Sequence, residues 1–155
     1  MSLIIPAPTP AIDEPAIVSG PFWPDVDPAK VRDTQRIDGT VPAPRLKTAI
    51  IEAIAATNGE LKAWREKQQA AGCSTLADVA AEEIDGTSIL IHRYQRAVGC
   101  HTKALLLERL RDFDSTAKGD KKADALTDPI DDLWRDYRHA IADITGAARS
   151  TVELI

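Results

Sequence analysis

The sequence predicts an all-α domain with extended arms at both ends, and three observations carry that reading. Apolar residues recur with a helical period over residues 44–72, 88–113 and 129–144. Seven of the ten prolines fall within the first 28 residues, and proline removes a backbone donor and holds φ near about −65°. The last nine residues, AARSTVELI, turn to β-favouring types. The expected division is an N-terminal arm over 1–27, a helical body over 28–146 and a C-terminal arm over 147–155.

The elements follow in order. The proline-rich arm reads as extended, with polyproline-like pieces. Asp27-Pro28 is a helix start, an N-cap followed by a proline at the first helical position, and Asp38-Gly39 ends that helix near Ile37. Pro44 opens the next helix. Leu46, Ile50, Ala53, Ile54, Thr57, Leu61 and Trp64 share one arc of it, and Gly72 stops it. Residues 73–86 read as a loop with a helical turn near Ser74–Asp78. Thr87 or Ser88 then caps a long helix to about Phe113. Its first half gathers Leu90, Ile91, Tyr94, Ala97, Val98, His101 and Leu105, and its second half adds Leu106, Leu107, Leu110 and Phe113 around the cylinder. Apolar surface on several sides of a helix calls for several neighbours, other subunits among them. A polar loop, DSTAKGDKKAD, precedes a helix from Pro129 to Ile144 closed by Gly146; Leu126 leaves open a longer helix running through Pro129.

At 155 residues, with 44% hydrophobic and 28% charged residues, the chain reads as one globular domain. A net charge of −5 argues against gripping nucleic acid, which needs a concentrated basic surface. No apolar run approaches the roughly 18–20 residues of a membrane span, and MSLIIPAPTPA lacks the positive start of a signal peptide. A cytoplasmic place of synthesis is expected, and Cys73 and Cys100 read as free thiols.

Catalysis gains little support. His92, His101 and His139 are scattered, no HExxH or CxxC spacing exists, and no glycine-rich phosphate loop or calcium loop is found. Glu82-Glu83 and Asp131-Asp132 are sequence neighbours that diverge on a helix. His101 reads as a core or interface histidine. No enzyme activity, metal or cofactor is expected.

Charge and termini say more. Arg93, Arg96 and Lys103 lie on one side of the long helix, and Asp132, Asp136 and Asp143 on the polar side of the last one. The two stripes are either solvated or paired between subunits, where they would set register and orientation. Phe22, Trp23 and Pro24 sit in the stiffened arm. Covering the two aromatics would remove roughly 300–500 Å² from water. The expected cover is a neighbouring subunit or another partner; the alternative is that the arm folds back over its own helices. Thr151, Val152, Glu153, Leu154 and Ile155 could add a strand to a partner's sheet, with Arg149 a polar anchor beside them.

The pieces IVSGPFWPDVD, RIDGTV, YQRAV, RDFDSTAKGDKKAD, DDLWRD and RSTVELI, spread collinearly from about residue 16 to the end, resemble the head completion (stabilisation) proteins of P2-like tailed bacteriophages. The resemblance implies a virion assembly role after DNA packaging: binding the portal protein, retaining DNA and forming the platform for the tail. By analogy with head–tail connectors it also implies a small helical bundle of the adaptor type, arranged as a dodecamer of neighbouring copies. Arg149 to Ile155 are then the expected portal contacts, and the next connector or tail-completion protein a further partner. Packaged DNA would pass through the channel without sequence-specific binding, and no membrane is involved. The expected location is the head–tail junction of the virion, after assembly in the host cytoplasm. The rival reading is a small terminase-like DNA-packaging subunit, which would need a basic recognition helix beyond Arg93 and Arg96.

Overall fold

Asp27 accepts a 2.9 Å hydrogen bond from the Ala29 backbone and Pro28 fills the first turn, so α1 starts there and spans Pro28–Gln35. It ends two residues earlier than expected, because Arg36 takes the left-handed conformation (φ 54°) and turns the chain. The computed structural model describes residues 13–116 and 120–149. α2 spans Ala43–Glu60 and α3 Lys62–Ala70. The sequence suggests one helix here, and the interruption at Leu61 is slight. Leu61 still bonds Thr57 O through its amide and is fully buried.

Thr75 and Asp78 close a reciprocal capping box around a short 3₁₀ turn, Leu76–Asp78. A two-stranded antiparallel hairpin follows, β1 Glu83–Ile84 and β2 Thr87–Ser88. Its turn residues Asp85 and Gly86 both have positive φ, 54° and 71°, as the tightest hairpin turns require. α4 spans Ile89–Thr116 and α5 spans Asp120–Thr145. Gly146, at φ 74°, ends α5. The last helix therefore begins well before Pro129 and carries that proline in its interior. Most of the stretch expected as a polar loop is helical. The described body is mostly helical, with one small sheet.

α4 and α5 run antiparallel: Arg93 reaches the Asp143 carbonyl at 3.1 Å, while Glu108 accepts a 2.7 Å bond from Trp134 Nε1. α2 lies against the first half of α4 and shares the main core with it. Leu46, Ile50, Ala53, Ile54 and Leu61 meet Leu90, Tyr94 and Val98 there. At Gly99, α4 packs tightly against Gln35 of α1. A Cβ there would sit 2.8 Å from the Gln35 amide nitrogen.

Ile17, Phe22, Trp23 and Val26 belong to this core, so residues 13–27 follow the alternative in which the arm folds back over the chain's own helices. Ile17 and Val26 exchange two backbone hydrogen bonds of 2.8 and 2.9 Å and pinch the segment into a loop. The loop is laced down where Phe22 O accepts from Leu76 N at 2.9 Å and Ser19 O from Asn58 Nδ2 at 3.0 Å. Phe22 and Trp23 are buried, 2% and 4% exposed, and Pro24 is half-buried. Trp23 stacks on Tyr94 with centroids 4.8 Å apart and planes 6° from parallel, and Phe22 meets its edge at 4.8 Å. Phe22 and Trp23, expected as a clasp for a partner, are covered here by the chain's own helices.

The entry to this loop is held by a double hydrogen bond. Arg32 donates to both oxygens of Glu14, at 2.7 and 2.8 Å, and also to the carbonyls of Asp38 and Val41. The Arg32 guanidinium holds the Glu14 carboxyl below its ordinary value. A carboxyl depressed by folding stabilises the protein above its unfolded pKa of about 4.3, and that contribution disappears as pH falls through the folded value. Glu14→Gln is therefore expected to cost about 1 kcal/mol at pH 7. Urea midpoints should show the gap from wild type narrowing below about pH 4. An equal gap at pH 7 and pH 3 would assign the loss to shape alone.

Candidate assembly surfaces

The charged stripes of α4 and α5 meet within one molecule. Arg93 is half-buried and donates to the Asp143 carbonyl, and Arg96 approaches Asp136 at 3.8 Å. Asp143 is gripped by Arg149 through two bonds of 3.0 and 2.6 Å, which hold its carboxyl below the usual range and raise the Arg149 guanidinium. Arg93, Arg96, Asp136 and Asp143, expected to pair between subunits, thus find partners within one molecule. Helical periodicity gives each stripe its face but not its partner, and the nearest complementary stripe is the adjacent antiparallel helix. Lys103 and Asp132 stand apart from this seam. Lys103 reaches the Arg36 carbonyl at 3.3 Å, and Asp132 holds Arg135 at 2.8 Å. Exposed pairs of the Asp132–Arg135 kind contribute little to stability.

Midway along the α4–α5 seam, His101 is buried between Trp134 and Tyr137, with ring centroids 4.7 and 5.0 Å away. Burial pushes its imidazole below the ordinary value, against the opposing pull of Glu60. Tyr137 donates to Glu60 at 3.0 Å and Tyr94 to Asn58 at 2.7 Å; burial raises both phenols, Tyr94 to about 12. These groups fasten α2 to α4 and α5. Among the described residues no group of three or more His, Cys, Asp or Glu could hold a metal ion, and no helix is long and apolar enough to cross a membrane.

Two concave surfaces flank α4 among the described residues. The smaller, about 340 Å³, lies between α1 and the first half of α4 and includes Lys30, Thr34, His92 and Arg96. The larger, about 770 Å³, lies between the α1–α2 connection and the second half of α4. Ile37, Val41, Leu106, Leu107 and Leu110 give it an apolar lining, and Arg36, Arg45, Lys103 and Arg109 ring it with cations against one carboxylate, Asp38. Sequence reasoning flagged the surplus leucines of α4 but missed this groove, because Arg36 and Arg45 come from a connection whose course no periodicity predicts.

The C-terminal segment leaves α5 at the end of the bundle where α4 begins, with Arg149 tied to Asp143. Thr151, Val152, Glu153, Leu154 and Ile155, expected as a contact segment, lie outside the described residues.

Comparison with known proteins places the chain. A head completion/stabilization protein of Escherichia phage P2 is 49% identical to it over 148 residues, covering 96% of this chain and 88% of that protein. No solved structure matches the chain. The family model described as "Phage head completion protein (GPL)" matches residues 17–155, from the strand-like pinch at Ile17 through every described helix to the last residue. The chain therefore belongs to the phage head completion protein family.

Proposed function

We propose that this protein completes and stabilises the DNA-filled head by binding the portal vertex as a ring adaptor. There it retains the packaged DNA and offers the platform to which the tail attaches. The observation that carries this reading is the match to head completion proteins over residues 17–155, which takes in both the folded body and the C-terminal segment. The body is self-capped, since its N-terminal aromatics are buried within it. Contacts to the portal protein, to neighbouring copies in a dodecameric ring and to the next connector then fall to outer faces and to residues 147–155. In this reading Val152, Leu154 and Ile155 supply apolar contact, Thr151 and Glu153 polar ones, and Arg149, braced by Asp143, holds the segment's root. The net charge of −5 suits a conduit wall that DNA passes without adhering. The location is the head–tail junction, reached after assembly in the host cytoplasm. The terminase-like alternative is disfavoured because Arg93 and Arg96 turn onto α5 rather than forming an open basic helix face.

Deleting Arg149 to Ile155 tests the proposal. The described core ends at Ile144, so helical circular dichroism and the thermal midpoint should stay close to those of the full chain. Co-sedimentation with DNA-filled heads should fall at least tenfold, a loss of about 1.4 kcal/mol or more in binding. A truncated protein that unfolds would assign the segment to the core. One that still completes heads would remove it from the portal contact.

A further inference from the structure

The cationic groove beside α4 and the acidic side of α5 lie on opposite flanks of one antiparallel helix pair, and they are complementary. On α4, Ala97, His101 and Glu108 face α5. At 100° per residue, Lys103, Leu106, Leu107 and Leu110 of the groove fall about 140° round the helix from that face. On α5, Ala123, Ile130 and Tyr137 are buried. Asp124, Asp128, Asp131 and Asp132 are exposed and fall about 140° round from them. The groove carries four cations against one carboxylate. The α5 flank carries four carboxylates, of which, among the described residues, only Asp132 is paired, with Arg135, while Lys121 and Lys122 stand at its start. The groove also keeps apolar surface in view, with Leu110 48% exposed.

We propose that the groove receives the acidic flank of α5 from a second copy of this chain. The two surfaces are different patches on opposite sides of the molecule, so the contact is head-to-tail. It repeats from copy to copy and closes into a ring when the rotation per step allows. Complementary charge sets the register and orientation of the contact, and the leucines exclude water from its centre. The proposal rests on the ring-adaptor reading, and its test is separate from capture by heads.

Sedimentation of the full chain should show concentration-dependent self-association that weakens as salt rises from about 50 to 500 mM. Arg45→Glu with Lys103→Glu should reduce association at least tenfold, and so should Asp128→Lys with Asp131→Lys. Mixing the two variants should restore it, because each now complements the other. Arg45, Asp128 and Asp131 are exposed and Lys103 is half-buried; circular dichroism confirms folding, and Arg109→Glu and Asp124→Lys replace any substitution that loses helicity. A protein monomeric up to about 1 mM, corresponding to a contact weaker than about 4 kcal/mol, overturns the proposal. So does association that ignores both reversals, or a mixture that fails to recover. Groove-to-groove pairing and docking of residues 150–155 both leave the α5 reversal without effect, and that result also overturns the proposal. Lost self-association with normal capture by heads would remove this interface and leave the portal role standing; the converse would do the reverse.

Discussion

Trp23→Ala is expected to lower folding stability by about 3–5 kcal/mol, the range for emptying a buried large aromatic site. Most single domains hold only about 5–15 kcal/mol in total. The side chain is 4% exposed and lies flat on Tyr94, with Phe22 at its edge and Trp64 stacked 6.4 Å away. Removing it leaves a cavity walled by three rings that cannot all collapse inward, because Tyr94 is tied to Asn58 and Phe22 to the Leu76 amide. Offset and edge contacts among aromatics add about 0.5–1.5 kcal/mol per pair beyond area burial. The indole N–H has no partner among the described residues, which tempers the loss slightly. Urea unfolding should show the midpoint falling with little change in slope, and the thermal midpoint should drop by roughly 10 °C. Trp23→Phe should recover part of the loss. If Trp23→Ala left stability intact but abolished capture by heads, the loop over residues 13–27 would be a partner's contact and the burial described above would not hold in solution.

That result would separate what the sequence makes legible from what it does not. The helix interiors were readable because a 3.6-residue period is a local property: Leu46, Ile50, Ala53, Ile54 and Leu61 on α2, and Leu90, Tyr94, Ala97 and Val98 on α4, are buried as their spacing implies. Phe22 and Trp23 were not, because their cover comes from Trp64, Leu76 and Tyr94, brought together only by tertiary packing. Prolines stiffen a segment equally well whether it projects or folds back. The hairpin had a local signal, Asp85-Gly86 between short β-capable pairs, but two residues per strand are too few for an alternation pattern. The charged stripes were legible as faces and illegible as pairs. Arg96 and Asp136 satisfy the same complementarity inside one molecule that a subunit contact would use. The groove depends on how the α1–α2 connection crosses α4, which no single element encodes.

Pro129→Ala is expected to stabilise the protein by about 1–3 kcal/mol, a gain where most substitutions lose. Pro129 is exposed inside α5, where it has no N–H to offer the Ala125 carbonyl and its ring crowds that turn. An interior proline costs about 3 kcal/mol relative to alanine, enough to make it the natural first residue of a helix, as the sequence suggests. The helix nevertheless extends upstream to Asp120 because α4 is there to receive it: Ala123 and Ile130 are buried and Leu126 half-buried. Asp124 also stands near the positive end of the helix dipole. Packing against a neighbour thus outweighs a local penalty, and the penalty survives as recoverable stability. The thermal midpoint should rise by roughly 2–10 °C, with helical ellipticity equal or greater. No change, or a loss, would mean that residues 120–128 do not share a continuous helix with the rest of α5. The acidic flank they carry would then lack the rigid support that docking into a neighbour's groove requires.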